Sequence, residues 1–188
     1  MNHAERNSGR DPDAVEEIQL AWARERPGTP VGSIGVITRV WRAAKLLGDD
    51  RRRTLARLGI DTATLDLLST LRRHGPPYAM APAALRDAAL LTAGAVSQRV
   101  ARAEAAGLVA VERGPRGRAS SVALTGAGHA LIEDSVDGLL RHEEELLDHL
   151  TEDERDRLAE LLRLLLDGLV ERLGADPRPG QVGADDAG

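Results

Sequence analysis

The chain has 188 residues, of which 42% are hydrophobic, 29% are charged and none is cysteine. This hydrophobic content excludes a disordered chain, and the lack of cysteine excludes disulfides, thiolate catalysis and cysteine-ligated metal sites. The net charge of −5, taken alone, argues weakly against a nucleic-acid partner. The start of the chain is polar and no run of about 18 uncharged apolar residues occurs, so we expect a cytoplasmic protein without a signal segment or membrane span.

Charge is unevenly distributed along the chain. Between Leu91 and Arg118 there are five arginines and two acidic residues, Glu104 and Glu112, whereas residues 133–171 are strongly acidic. A phosphate group responds to the charge in its own vicinity rather than to the net charge. A basic middle and an acidic end therefore predict one face turned toward DNA and another turned away.

The first 60 residues predict a polar tail and two helices. Residues 1–10 lack periodicity and are expected to be a flexible tail. Pro12 is predicted in the first turn of a helix that carries Val15, Ile18 and Trp22 and that Pro27 ends. A second helix, with Ser33 as its cap, is predicted to continue to about residue 58. We assign residues 11–60 to N-terminal helices that serve dimerisation and contribute to a ligand pocket.

Residues 61–125, termed the reading head below, predict three helices and a hairpin. Asp61 and Thr92 are expected to cap the first and third helices, and Pro82 to open the short helix between them. After a stop at Gly107, apolar residues alternate with polar ones in two short strands, around residues 109–112 and 122–124. The turn between these strands carries arginines, so the sequence predicts a β-hairpin with a basic tip.

Two long helices are predicted in residues 126–174. The first covers roughly residues 126–150, and the second begins at Thr151 with Glu154 as its capping-box partner. The second helix carries leucines at helical spacing in a stripe wider than one globular partner needs. They either fill the core of a monomer or form a dimer interface, and we favour the dimer. Residues 175–188, rich in Gly, Pro and Asp, predict a second flexible tail.

The third helix of the reading head has the geometry of a recognition helix. At about 100° per residue, Val96, Val100 and Ala103 fall on one stripe, and Gln98 and Arg102 fall nearly opposite. The small residues of its first turn allow close approach of free backbone N–H groups to phosphate. An ordinary amphipathic helix with a solvated face is the alternative, and the basic hairpin that follows favours DNA. The predicted DNA contacts are Thr92, Ala93, Gly94, Ala95, Ser97, Gln98, Arg102, Arg116 and Arg118.

Two segments resemble MarR-family regulators. The stretch LTAGAVSQRVARAEAAGLV (residues 91–109) resembles the recognition helix and first wing strand, and VALTGAG (residues 122–128) resembles the strand that leads into the next helix. The resemblance implies a mainly α winged helix-turn-helix fold with a small β-hairpin and with N- and C-terminal dimerisation helices. It further implies a ligand-responsive homodimer that binds a near-palindromic duplex DNA site, usually as a repressor. The family often has an Asp-x-Arg pattern in the wing; Arg118 matches the Arg, and Arg116 stands in place of the Asp.

The N-terminal segment QLAWARERP (residues 19–27) resembles the urate-responsive branch of the same family. In that branch a Trp on an extra N-terminal helix, an Asp on the first helix of the reading pair and an Arg on the recognition helix shape a small-anion pocket. Trp22, Asp66 and Arg99 match these places. A further Arg of the branch, on the first wing strand, corresponds to Val111 here.

The helical geometry itself places Arg99 beside the core, about 60° from the centre of the apolar stripe. Asp66 lies among leucines, so a carboxylate and a guanidinium at these positions are expected to pair. Our hypothesis is that an anionic ligand pairs with Arg99, disturbs Asp66 and tilts the recognition helix. In the alternative, Asp66 and Arg99 form a structural ion pair and Trp22 only packs.

Three other classes of function fit the sequence less well. His142, Glu145 and His149 share one helix, but their spacing suits a solvated acidic face better than a metal site. No phosphate-binding loop, nucleophile elbow or acid–base pair is recognisable, so neither an enzyme nor a cofactor is predicted. The remaining alternative is a helical protein–protein adaptor without DNA-binding activity, which the acidic balance and the altered wing favour.

Overall fold

The computed structural model describes residues 11–89 and 91–174, and both predicted tails, residues 1–10 and 175–188, lie outside this part of the chain. The chain divides between residues 50 and 51 into two compact units. Among the described residues, no helix is long and apolar enough to cross a membrane. Each unit is described separately below.

The N-terminal unit contains α1 (Ala14–Glu25) and the beginning of α2 (Gly32–Arg57). Asp13 is the N-cap of α1 and forms a capping box with Glu16, so the prediction that Pro12 lies in the first turn was wrong. The Asp13 carboxylate also accepts a hydrogen bond from Arg39 of α2 at 2.7 Å. Because α2 already includes Gly32, Ser33 lies inside the helix and does not cap it.

In the second unit, α3 (Thr62–Arg73) begins at an N-cap, Asp61, whose side chain accepts a hydrogen bond from the Thr64 N–H at 2.7 Å. The short helix α4 (Pro82–Ala89) follows, and α5 (Ala93–Ala105) begins after the N-cap Thr92. Both predicted caps are confirmed. A short side chain that bonds a free N–H of the first turn fixes where each helix starts.

A three-stranded antiparallel sheet completes the reading head, with the strand order β1-β3-β2. Strands β2 (Val109–Arg113) and β3 (Ala119–Leu124) form the predicted hairpin, and its register is irregular between Glu112 and Arg113. The sequence did not predict β1 (Ala79–Met80), which pairs with β3. The prediction of a mainly helical fold with a small sheet is confirmed.

The core of the second unit lies where α3, α4, α5 and α6 meet the sheet. Six of its apolar side chains are at most 1% exposed, namely Leu55, Leu68, Leu71, Leu85, Val122 and Ile132. Burial of this kind contributes about 1.5–3 kcal/mol for each large aliphatic side chain. It makes the reading head a rigid support for the side chains on its surface.

Two long helices follow the sheet. Helix α6 (Gly126–Leu146) ends four residues earlier than predicted, because residues 147–149 form a turn. Helix α7 (Glu152–Leu173) begins with the predicted capping box of Thr151 and Glu154. All residues of α7 are described and none is buried. Its exposed leucines are Leu158, Leu161, Leu162, Leu164, Leu166, Leu169 and Leu173.

The start of α6 is fixed against the connection between α5 and β2. The Thr125 N–H donates to the Leu108 carbonyl at 3.1 Å, and its hydroxyl donates to the Gly107 carbonyl at 2.7 Å. A Cβ atom at Gly128 would lie 2.0 Å from the Leu108 oxygen. The close approach of these two backbones therefore requires glycine at position 128.

Candidate nucleic-acid interface

Helix α5 presents two different faces. Val96, Val100 and Ala103 are buried in the core, as the spacing predicted, and Ser97, Gln98 and Arg102 are exposed. An amphipathic helix with a buried stripe and polar side chains opposite can place the latter against base edges in a major groove. The contacts with DNA remain a prediction.

The N-terminus of α5 carries little side-chain bulk. Ala93 and Gly94 are exposed and Ala95 is half-buried, and Thr92 accepts a hydrogen bond from the Ala95 N–H at 3.2 Å. The Ser97 hydroxyl donates to the Ala93 carbonyl at 2.9 Å. The first turn thus offers backbone N–H groups at the positive end of the helix dipole, the arrangement that favours a phosphate.

Arg102 has an acidic neighbour on another helix. Its guanidinium lies 3.7 Å from the carboxylate of Asp61, the N-cap of α3, and both side chains are more than half exposed. An exposed pair at this distance contributes little to stability. Arg102 can therefore exchange this partner for a phosphate or a base at low cost.

The wing tip, residues 114–118, is held by its own backbone. The Gly114 N–H donates to the Arg118 carbonyl at 2.9 Å, and the Gly117 N–H donates to the Gly114 carbonyl at 2.9 Å. Gly117 has a φ of +71°, a conformation that glycine adopts without strain. Arg116 and Arg118 are exposed on this closed turn.

Sequence reasoning missed an ion pair between the recognition helix and the wing. Arg113, the last residue of β2, donates two hydrogen bonds to the carboxylate of Glu104 in the last turn of α5, at 2.8 and 2.6 Å. The hydrogen bonds raise the pKa of Arg113 and lower the pKa of Glu104. The only sequence signal was two opposite charges on either side of the turn at Gly107.

Asp66 and Arg99 lie together, as their positions on the two helices predicted. The two charged groups are 3.7 Å apart, and the side chains are 23% and 18% exposed. Burial raises the pKa of Asp66, against the opposing effect of three nearby guanidinium groups, those of Arg99, Arg51 and Arg73. The carboxylate is therefore partly desolvated in a cationic environment.

Asp66 lies on α3, the helix that Asp61 caps, as the sequence predicted. This helix precedes α4 and α5, so the resemblance matches Asp66 to the first helix of the reading head rather than to the short helix before α5. Trp22 lies on α1 in the N-terminal unit and is 49% exposed. Its contribution to a pocket with Asp66 and Arg99 stays a prediction. Val111 is half-buried in β2.

The interior side of Arg99 has little free space. A cavity of about 10 Å³ is lined by Arg99, Thr70 and apolar side chains that include Leu67, Leu85 and Val96. Such a volume holds at most one water molecule. A small-molecule anion would have to reach Arg99 from its outer side.

The residues considered for a metal site do not converge. The His142 ring lies 3.8 Å from the Glu145 carboxylate, on the same helix. Within residues 11–89 and 91–174, no group of three or more His, Asp or Glu side chains that could hold a metal ion is found.

The three-helix head, its recognition helix and its basic hairpin define a winged helix-turn-helix protein. The sequence model of the MarR family matches residues 58–120. The chain is 30% identical to the HTH-type transcriptional regulator PecS of Dickeya dadantii over 151 residues, which span 79% of this chain and 90% of PecS. This protein belongs to the MarR family of transcriptional regulators.

Solved structures of the same family share the fold. A crystal structure of Sco3205, a MarR family regulator from Streptomyces coelicolor in complex with DNA, is 26% identical, with a TM-score of 0.58 over 73% of this chain and 92% of that one. The oxidised form of MarR from E. coli is also 26% identical, with a TM-score of 0.55 over 69% of this chain and 93% of that one. The predicted family and fold are confirmed.

Proposed function

We propose that this MarR-family regulator binds a near-palindromic duplex DNA site as a homodimer and represses transcription, and that a small anion weakens the binding. The observation that carries the DNA part is the joint exposure of a recognition-helix face and an arginine-bearing wing tip on one rigid head. Recognition helices read base edges, and arginines on a hairpin neutralise phosphates. The DNA complex formed by Sco3205 supports the same assignment.

Homodimer formation is supported by α7. Its seven exposed leucines form an apolar surface that none of the described residues buries. Leucines on an exposed helix are stabilised when a second copy covers them, and a two-fold dimer presents two recognition helices to two half-sites. The near-palindromic site follows from that symmetry.

The DNA part is tested by fluorescence anisotropy with the protein's own upstream DNA over a salt series. We expect tight binding to that DNA with a steep salt dependence, because each phosphate contact releases counterions. Arg102→Gln and Arg116→Gln should each lower the salt slope by about one if the side chain contacts a phosphate. Arg141→Gln on α6 is the control for loss of one positive charge.

A helical adaptor without DNA-binding activity is the second candidate, favoured by the net charge of −5 and by the apolar face of α7. Absence of binding to upstream and genomic fragments at low salt would refute the DNA proposal and leave this one. No catalytic role is part of either proposal.

The effector part rests on the pair of Asp66 and Arg99. It links α3 to the recognition helix, and Arg51 and Arg73 add further positive potential around the carboxylate. An anion that pairs with Arg99 weakens the ion pair of Arg99 with Asp66 and changes the support of α5. Such coupling between two sites is typically ~1–3 kcal/mol, or about 5–150-fold in DNA affinity.

The effector part is tested by adding urate-like and aromatic-acid anions to the preformed DNA complex. We expect one of them to release the DNA, and we expect Arg99→Ala and Trp22→Ala to lose this response while DNA binding persists. Trp41→Ala is the matched control, because Trp41 is another exposed tryptophan of the N-terminal unit. An unchanged response of Arg99→Ala would show that the pair is structural only.

A further inference from the structure

We propose that the ion pair between Glu104 and Arg113 is a positioning device that sets where the wing arginines lie relative to the recognition helix. This inference rests on the proposed DNA-binding function and adds two residues to it. The role proposed for Glu104 and Arg113 does not depend on direct contact of either residue with DNA. The two residues act through Arg116 and Arg118.

The geometry of the pair suits this role. Glu104 lies in the last turn of α5, and Arg113 closes β2 at the irregularity between Glu112 and Arg113. Two parallel hydrogen bonds, at 2.8 and 2.6 Å, fix both the distance and the orientation of the guanidinium. The pair therefore ties the strand to the helix at the point where the regular backbone ladder is interrupted.

The wing tip follows Arg113 directly along the chain. Its turn is closed by backbone hydrogen bonds between Gly114 and Arg118 and between Gly117 and Gly114. On the other strand, the Ser120 hydroxyl donates to the Glu112 carbonyl at 3.1 Å. A closed turn transmits the direction of Arg113 to the arginines that follow it, three and five residues later.

The chain itself creates a need for such a device. With Arg116 and Arg118 at the tip, the turn contains two positive charges and no acidic residue, so these side chains cannot hold each other in place. Their order must come from elsewhere in the head. Immediately before the turn, Arg113 forms an ion pair with Glu104 at 2.6 Å.

Glu104→Gln separates this role from simple electrostatics. Removal of a negative charge near DNA should strengthen binding. We expect the opposite, a loss of affinity of about two- to fivefold, the range of exposed ion-pair energies. The salt slope should fall by up to about two as the two wing arginines lose their phosphates. Glu112→Gln is the matched control, because it removes the same charge eight residues away on β2 and leaves the pair intact.

The charge-swapped double variant Glu104→Arg with Arg113→Glu completes the test. It keeps the net charge and the pairing, so it should restore the affinity and the hydroxyl-radical footprint of the wing that each single variant loses. Arg113→Lys should retain only part of the wild-type DNA affinity, because lysine keeps the charge but cannot form the two parallel hydrogen bonds to Glu104. Thermal unfolding of each variant shows whether the head remains folded.

Two results would overturn the inference. In the first, Glu104→Gln strengthens DNA binding as much as Glu112→Gln does. In the second, the charge-swapped double variant fails to restore the hydroxyl-radical footprint of the wing. Both comparisons are made against the wild-type protein, whose salt-dependent DNA binding is measured in the same assay. Failure of wild-type binding would instead refute the proposed function.

Discussion

Helices α5 and α7 begin in the same way and are buried very differently. Each starts after a threonine N-cap, Thr92 or Thr151, and each carries apolar residues at helical spacing. Helix α5 buries Val96, Val100 and Ala103 in its own chain, whereas none of the residues of α7 is buried. Local sequence therefore determines that a helix forms, whereas residues outside the helix determine what it packs against.

The largest expected effect tests the exposed side of this comparison. Leu162→Gln combined with Leu169→Gln should raise the dissociation constant of the dimer by about two orders of magnitude or more, because each buried leucine contributes about 1.5–3 kcal/mol. Analytical ultracentrifugation measures this constant. Glu160→Gln with Glu171→Gln, on the same helix, is the control. If the leucine variant dimerises as wild type does, α7 is not the interface.

The second prediction tests the buried side. Leu68 of α3 is 0% exposed in the core of the head, so Leu68→Ala should lower the free energy of unfolding by about 2–5 kcal/mol. Leu68→Met, which nearly conserves volume, should cost less than about 1.5 kcal/mol. Urea unfolding provides the measurement. A loss below that of the methionine variant would contradict the packing described for the head.

The third prediction concerns the two threonine caps. Thr92→Ala and Thr151→Ala should each cost about 1 kcal/mol, because each leaves a free N–H without its acceptor. Only the first should also weaken DNA binding, since only Thr92 begins the recognition helix. The corresponding serine variants keep the oxygen and should behave as wild type in both assays. Equal losses of DNA affinity from both alanine variants would contradict the difference between the two helices.

The smallest effect is a difference in pH dependence between the two regions. Burial raises the pKa of Asp66 above 3.8, so the folded head binds more protons than the unfolded chain and loses stability as the pH rises from about 3.8 through the folded value. A hydrogen bond from Arg163 lowers the pKa of Glu160 below 4.5, so its contribution is present above that value and is lost as the pH falls through the folded one.

Urea titrations from pH 3 to pH 7 test these two signs. Asp66→Asn should remove a contribution to the free energy of unfolding that decreases as the pH rises. Glu160→Gln should remove a weaker contribution that increases as the pH rises. Slopes of the same sign in the two difference curves would contradict the stated environments.

Local sequence predicted the parts of the site that depend on neighbours along the chain. The caps Asp61, Thr92 and Thr151 and the buried stripe of α5 follow from a few adjacent residues, and so does the pairing of Asp66 with Arg99 once both helices are assigned. Helical periodicity carries this information directly. The family resemblance added the winged fold.

What sequence reasoning missed depends on residues that are distant along the chain. Strand β1 is two residues long and exists through its pairing with β3, about forty residues later. The pair of Glu104 and Arg113 depends on the path of the turn between them, which spacing alone does not give. Asp13 and Pro12 are both residues that commonly begin a helix, and the local sequence does not distinguish the N-cap Asp13 from the proline before it.

The contact between Gly128 and the Leu108 carbonyl has a further consequence. The Leu108 carbonyl, which follows the recognition helix, lies against Gly128 in the first turn of α6 and also accepts a hydrogen bond from the Thr125 N–H. A single methyl group added at Gly128 would push α6 away from the reading head. Glycine is therefore the one residue that fits at position 128, and its missing side chain lets the reading head and α6 pack in a fixed relative position.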